Sequence, residues 1–155
     1  MARDNPDIEI RMKNAKLFEE GAKEYFKKKD IYVIDFAWAN NKELTPLQKI
    51  AAPKLVWKMP DLMIIHKNKP KLIEVKQGRK EDVMMKLEDL KGYKFWQKYL
   101  WEVFLFIGTK PHIVKLDKVL QLDEINNYER FLTKENKCKP KEYFNLPYKD
   151  LHEKM

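Results

Sequence analysis

Apolar residues recur at helical spacing from about Asn14 to Lys29, with Ala15, Phe18, Ala22, Tyr25 and Phe26 sharing one side of a 3.6-residue repeat. The run from Ile31 to Trp38 is instead rich in β-branched and aromatic residues and predicts a strand. Asn40-Asn41 breaks it, and an irregular segment follows through Thr45-Pro46 to Pro53, with one helical turn expected at Pro46–Ile50. Two short apolar strands come next, Leu62–Ile65 and Leu72–Lys76, separated by the basic turn Lys67-Asn-Lys-Pro70. From Glu81 to Leu100 the positions of Val83, Leu87, Leu90, Tyr93, Trp96 and Leu100 return to helical spacing, and Gly92 inside them predicts a kink or a split. Glu102–Ile107 and His112–Leu116 read as strands on either side of Gly108 and Pro111, and Leu122–Leu132 as a short helix. Beyond Thr133 the chain is rich in lysine and proline, with scattered aromatics and no periodicity.

The element order is therefore α-β-β-β-α-β-β-α, which predicts an α/β fold with a mixed central β-sheet flanked by helices. The 81–100 helix is long enough to serve as a crossover between parallel strands. At 155 residues the chain is expected to be one domain over residues 1–132, with residues 133–155 as a basic C-terminal arm packing on it or extending from it.

The net charge is +8 and almost all of the positive charge is lysine. A basic surface suits a polyanion, because each neutralised phosphate releases counterions; an AT-rich coding composition also produces lysine. No apolar run is long enough to span a bilayer, and the N-terminus has no signal-like stretch, so a cytoplasmic protein without membrane contact is expected. The single cysteine, Cys138, excludes an internal disulfide, no Cys/His cluster suggests zinc, and no glycine-rich phosphate loop supports ATP chemistry.

Chemistry gathers at Pro60-Asp61 and Glu74-Val75-Lys76. Alternation along a strand sends Glu74 and Lys76 to one face and Val75 to the other. If the two short strands pair as a hairpin, Asp61 stands at its open end, level with Glu74 to Lys76. Two carboxylates and a lysine converging there can hold a divalent cation and activate a water beside it. The letters alone are cheap in this composition, since Pro6-Asp7 and Glu135-Asn-Lys137 repeat them. Only the pair at 61 and 74–76 is flanked by apolar strands.

This arrangement resembles the PD-(D/E)XK nuclease superfamily, which includes restriction endonucleases and Holliday junction resolvases, over roughly residues 14–108. The resemblance implies a restriction endonuclease-like fold and a DNA-cleaving hydrolase dependent on Mg2+, with Mn2+ able to substitute. It implies Asp61 and Glu74 as metal ligands, with the Val75 backbone carbonyl as a third, and Lys76 as the group that orients or deprotonates the attacking water. Burial and a cation depress that lysine's pKa while carboxylates raise it, and the sequence leaves the balance open. Members of the superfamily also carry a helical glutamate ahead of the first strand. Glu19, Glu20 and Glu24 are available; Glu24, three residues after Gly21, is preferred and Glu20 is next.

Phosphate contacts are expected from Gln77, Arg79 and Lys80 after the lysine, from Lys54 and Lys58 before Pro60, and from the stripe Lys91, Lys94, Lys98. A solvated charged face is the usual explanation of such a stripe. Tyr93, Trp96, Tyr99 and Trp101 interleave with lysines as stacking surfaces do, although their helical spacing also fits a core. His66 and His112 have no partners at metal-ligand spacing. DNA is the expected partner, with RNA an alternative substrate, and a homodimer would present two sites to two strands. The competing reading is a non-catalytic nucleic-acid-binding module on the same fold.

Overall fold

The computed structural model describes residues 6–37, 58–108, 111–133 and 140–151. In chain order it contains α1 (Pro6–Lys28), β1 (Tyr32–Asp35), β2 (Leu62–His66), β3 (Lys69–Lys76), β4 (Asp82–Lys86), α2 (Leu87–Tyr99), β5 (Val103–Ile107), β6 (His112–Lys115), α3 (Leu116–Asn126), β7 (Phe131–Thr133), β8 (Lys141–Pro147) and α4 (Tyr148–Leu151). The main sheet has the order β1-β2-β3-β5-β6 and a smaller one the order β4-β8-β7. In the main sheet β3 and β5 run parallel and the other neighbours antiparallel. The architecture is a mixed α/β fold whose central mixed sheet is flanked by helices.

Side-chain alternation divides the core into two layers. On one face Ala22 and Phe26 of α1 pack against Val33, Leu62, Ile64, Ile73 and Phe106. On the other, Leu72, Leu105 and Ile107 meet Leu90 and Tyr93 of α2, Leu116 and Val119 of α3, and the small sheet through Val83, Met85, Phe144 and Leu146.

The β2–β3 hairpin turns on Lys67 and Asn68, with φ of 51° and 61°. Two consecutive left-handed residues make the tight reversal whose twist matches paired strands. Pro70 opposes Ile65, whereas pairing to β5 begins only at Leu72, so its missing N–H breaks no ladder on that side.

Three sequence expectations are corrected. The helix expected over 81–100 is a strand followed by a helix. Val83 and Met85 are buried and pair with β8, a partner some sixty residues on (Val83 with Leu146) that local periodicity cannot anticipate. Nor does Gly92 kink α2: the helix is continuous, and a side chain there would overlap the Lys58 Cβ. The helix expected over 122–132 lies at Leu116–Asn126, ended by Asn127 in the left-handed conformation (φ 49°) that commonly closes helices. The aperiodic tail supplies β8 and α4, with Phe144 and Leu146 fully buried. Expectations on Trp38, the Pro46–Ile50 turn, Lys54 and Cys138 fall outside the described residues. Among those residues no helix is long and apolar enough to cross a membrane.

Candidate active site

The hairpin brings the two halves of the motif together. Leu62 pairs with Ile73, which sets Asp61 beside Glu74 at the open end. The Asp61 backbone carbonyl accepts from the Phe36 and Ala37 N–H groups at 2.9 and 3.3 Å, closing the end of β1. Its side-chain Oδ2 accepts from the Val75 N–H at 2.9 Å, so the carboxylate bridges the strand ends. Glu74 and Lys76 project to the α2 side with Leu72, as alternation requires. Their side chains keep only 11% and 18% exposure, and Lys76 Nζ lies 3.5 Å from Glu74 Oε1. The Gly108 N–H donates to the Lys76 carbonyl at 3.1 Å and fixes the end of β3 against β5.

From α2 come two further groups, one turn apart on the same helix face. Asp89 Oδ2 lies 3.4 Å from Lys76 Nζ, and Asp89 Oδ1 lies 2.7 Å from Lys58 Nζ. The Tyr93 hydroxyl donates to Glu74, and Lys76 Nζ sits 5.3 Å from the Tyr93 ring centre. Asp89 is not among the residues the sequence singles out; an acid in a first helical turn is commonplace, and its only signal is the i, i+4 spacing to Tyr93. Tyr93 is in the core, as its spacing allows, and its hydroxyl serves the site.

Electrostatically the cluster is strongly coupled. Burial, then the charges of Glu74 and Glu19, push Asp61 well above the usual carboxylate range, against the Val75 N–H and Lys76. Burial also raises Glu74, although Lys76 and the Tyr93 and Asp61 hydrogen bonds oppose it. For Lys76 burial favours the neutral amine, but Glu74, Asp89 and Asp61 outweigh it and hold the ammonium. Burial likewise opposes ionisation of Asp89, and Lys76 and Lys58 outweigh that, keeping it an anion. Two carboxyls are thus destabilised as anions side by side, with a firm anion and a firm cation next to them.

The α1 carboxylates are distributed differently from the preference for Glu24. Glu24 is exposed and lines a cleft of about 390 Å3 with Phe18, Tyr25 and Phe106, on the opposite layer of the sheet. Glu20 pairs with Lys23 at 3.3 Å, and Lys23 with Asp35 at 2.6 Å. Glu19 is the α1 carboxylate whose charge reaches Asp61.

Of the expected phosphate contacts, Lys58 joins the site through Asp89. Gln77 and Lys80 are exposed on the loop leaving Lys76. Arg79 donates to Asp82 Oδ1 at 2.6 Å and Asn145 Oδ1 at 2.8 Å, bracing that loop. Lys91, Lys94 and Lys98 stand about 140–200° around α2 from Asp89, at about 100° per residue, and are not brought to the site. Trp96 packs on the core, while Tyr99 is exposed with Lys98 Nζ 5.2 Å from its ring centre. His112 stacks on Tyr148 with ring centres 4.5 Å apart.

Asp61 and Glu74 are the two carboxyls that could hold a cation here. Asp61 and Glu74 share a hydrogen bond, so a proton relieves their repulsion, as a cation between them would. A strand residue's N–H and C=O project to the same side, so the Val75 carbonyl also faces past the end of β2 toward Asp61. Among the described residues no group of three or more His, Cys, Asp or Glu side chains is placed to hold a metal ion.

No protein-family model and no curated protein matches the chain. Among solved structures, the chain is similar to the Holliday junction resolvase Hjc of the archaeon Archaeoglobus fulgidus, with a TM-score of 0.52 and 12% identity over 89% of this chain and 87% of that one. The likeness is one of fold, the restriction endonuclease-like fold of that resolvase.

Proposed function

We propose that this chain is a metal-dependent nuclease that hydrolyses phosphodiester bonds in DNA, an endonuclease that selects by DNA structure or reads sequence weakly. The observation that carries the reading is the convergence of Asp61, Glu74 and Lys76 on one face at the open end of the β2–β3 hairpin. The structure-selective part draws on the fold neighbour, a resolvase of four-way junctions.

Asp61, Glu74 and the Val75 carbonyl would hold Mg2+ or Mn2+. Such a cation would supply positive charge against the phosphoryl oxygens and lower the pKa of a bound water. Lys76 faces the same space as an ammonium; it orients that water and offsets charge that grows on the phosphoryl group. Tyr93 holds Glu74 in place through its hydroxyl. Gln77 and Lys80, exposed on the loop beyond the lysine, would be the residues that meet the DNA backbone. In a homodimer, two copies of this site would act on two strands.

The test is a panel of supercoiled plasmid, linear duplex and four-way junction DNA, each with Mg2+, Mn2+ or EDTA. Cleavage is expected with either cation and not with EDTA. Asp61→Ala, Glu74→Ala and Lys76→Ala should each reduce it at least about 100-fold. Salt-sensitive binding without cleavage would favour the non-catalytic module, and neither binding nor cleavage would overturn both.

A further inference from the structure

We infer that Asp89 positions Lys76 and that Lys58 holds Asp89 in place; the catalytic meaning of this relay rests on the nuclease reading, its geometry does not. A lysine side chain is a long, freely rotating stem ending in a point charge, and a strand alone does not aim it. Lys76 is aimed by three contacts: Glu74 at 3.5 Å, Asp89 at 3.4 Å and the Tyr93 ring at 5.3 Å. Glu74 is already engaged by Tyr93 and Asp61 and is one of the two carboxylates that fit a cation. Were its charge to serve a cation, its hold on Lys76 would weaken. Asp89 is the anion that remains.

Asp89 is itself restrained at both oxygens. Oδ2 faces Lys76, and Oδ1 is drawn to Lys58 at 2.7 Å, so the carboxylate cannot turn without losing one cation. The Lys58 stem is in turn seated on α2 where Gly92 leaves no side chain in its path. Asp89 also stands in the first turn of α2, where the helix dipole favours an anion. The chain entering the site at Lys58 and the lysine leaving it at Lys76 are thereby joined through one carboxylate. An ion pair that served stability alone would not need its second oxygen on the functional lysine.

The experiment compares wild type, Asp89→Asn, Asp89→Glu and Lys58→Met by two readouts. The first is hydrogen exchange of the Lys76 ammonium protons in 15N-labelled protein, which requires no substrate. Exchange should accelerate at least about fivefold in Asp89→Asn and less in Lys58→Met, and Asp89→Glu should restore slow exchange. The second is cleavage kinetics. In Asp89→Asn, kcat should fall roughly 10- to 100-fold with KM within about twofold. In a Lys76→Ala background Asp89→Asn should cause no further loss. Unchanged ammonium exchange, or a kcat loss that is fully additive with Lys76→Ala, overturns the relay. If wild type cleaves nothing, the nuclease reading fails, and the exchange measurement still decides whether Asp89 holds Lys76.

Discussion

At Asp61 and Glu74 the fold places two acids where neither ionises comfortably, an arrangement that costs stability at neutral pH. A carboxyl whose pKa is higher in the native than in the unfolded state binds its proton more tightly when folded. Its contribution is full below the unfolded value, about 4, and is lost as pH rises through the native value. In EDTA, Asp61→Asn should therefore melt above wild type at pH 7, with the gap closing toward pH 4. Added Mg2+ should raise the wild-type melting temperature at pH 7 and leave that of Asp61→Asn unmoved. Thermal melts across this pH range test both, and a wild type that outlasts Asp61→Asn in EDTA at pH 7 would contradict the coupling.

Among the elements, α2 carries the most consequence, because its inner face supplies Asp89 and Tyr93 while Gly92 admits Lys58. Gly92→Ala should cost about 1–3 kcal/mol in urea denaturation, from the forced displacement of the Lys58 stem. It should also lower cleavage, because Asp89 loses its second tether. In the β2–β3 turn, Lys67→Gly should add up to about 1 kcal/mol, since relief of the left-handed strain lysine carries there exceeds the unfolded-state entropy that glycine adds. How far the site could be read in advance follows the same scale. Asp61, Glu74 and Lys76 were legible because one tight hairpin joins them, and alternation along a strand decides their faces. Asp89 was not, since its role depends on how α2 lies over the sheet. Local spacing also reads Val83 to Leu87 as helix, because Val83, Leu87 and Leu90 satisfy a 3.6-residue repeat as well as Val83 and Met85 satisfy a two-residue one. The choice between them is made by β8, hidden in a lysine-rich stretch.

For the whole molecule, the C-terminal strand belongs to the core rather than to an appendage. Phe144 is fully buried among the residues that also pack α2 and α3, so Phe144→Ala should cost about 3–5 kcal/mol in chemical denaturation. A dispensable arm would show almost no loss. Tyr148, which stacks on His112, bears on more than stability. The loop that leaves Lys76 is overlaid by Tyr148, whose hydroxyl donates to the Arg79 carbonyl at 2.7 Å and whose N–H donates to the Glu81 carbonyl at 2.9 Å. A side chain at Gly78 would overlap the Tyr148 hydroxyl. The loop beyond the lysine is thus held by a residue 69 positions further along the chain than Arg79. The loop beside Lys76 is thereby tied to a residue remote in sequence, so a change at Tyr148 reaches the neighbourhood of the candidate site.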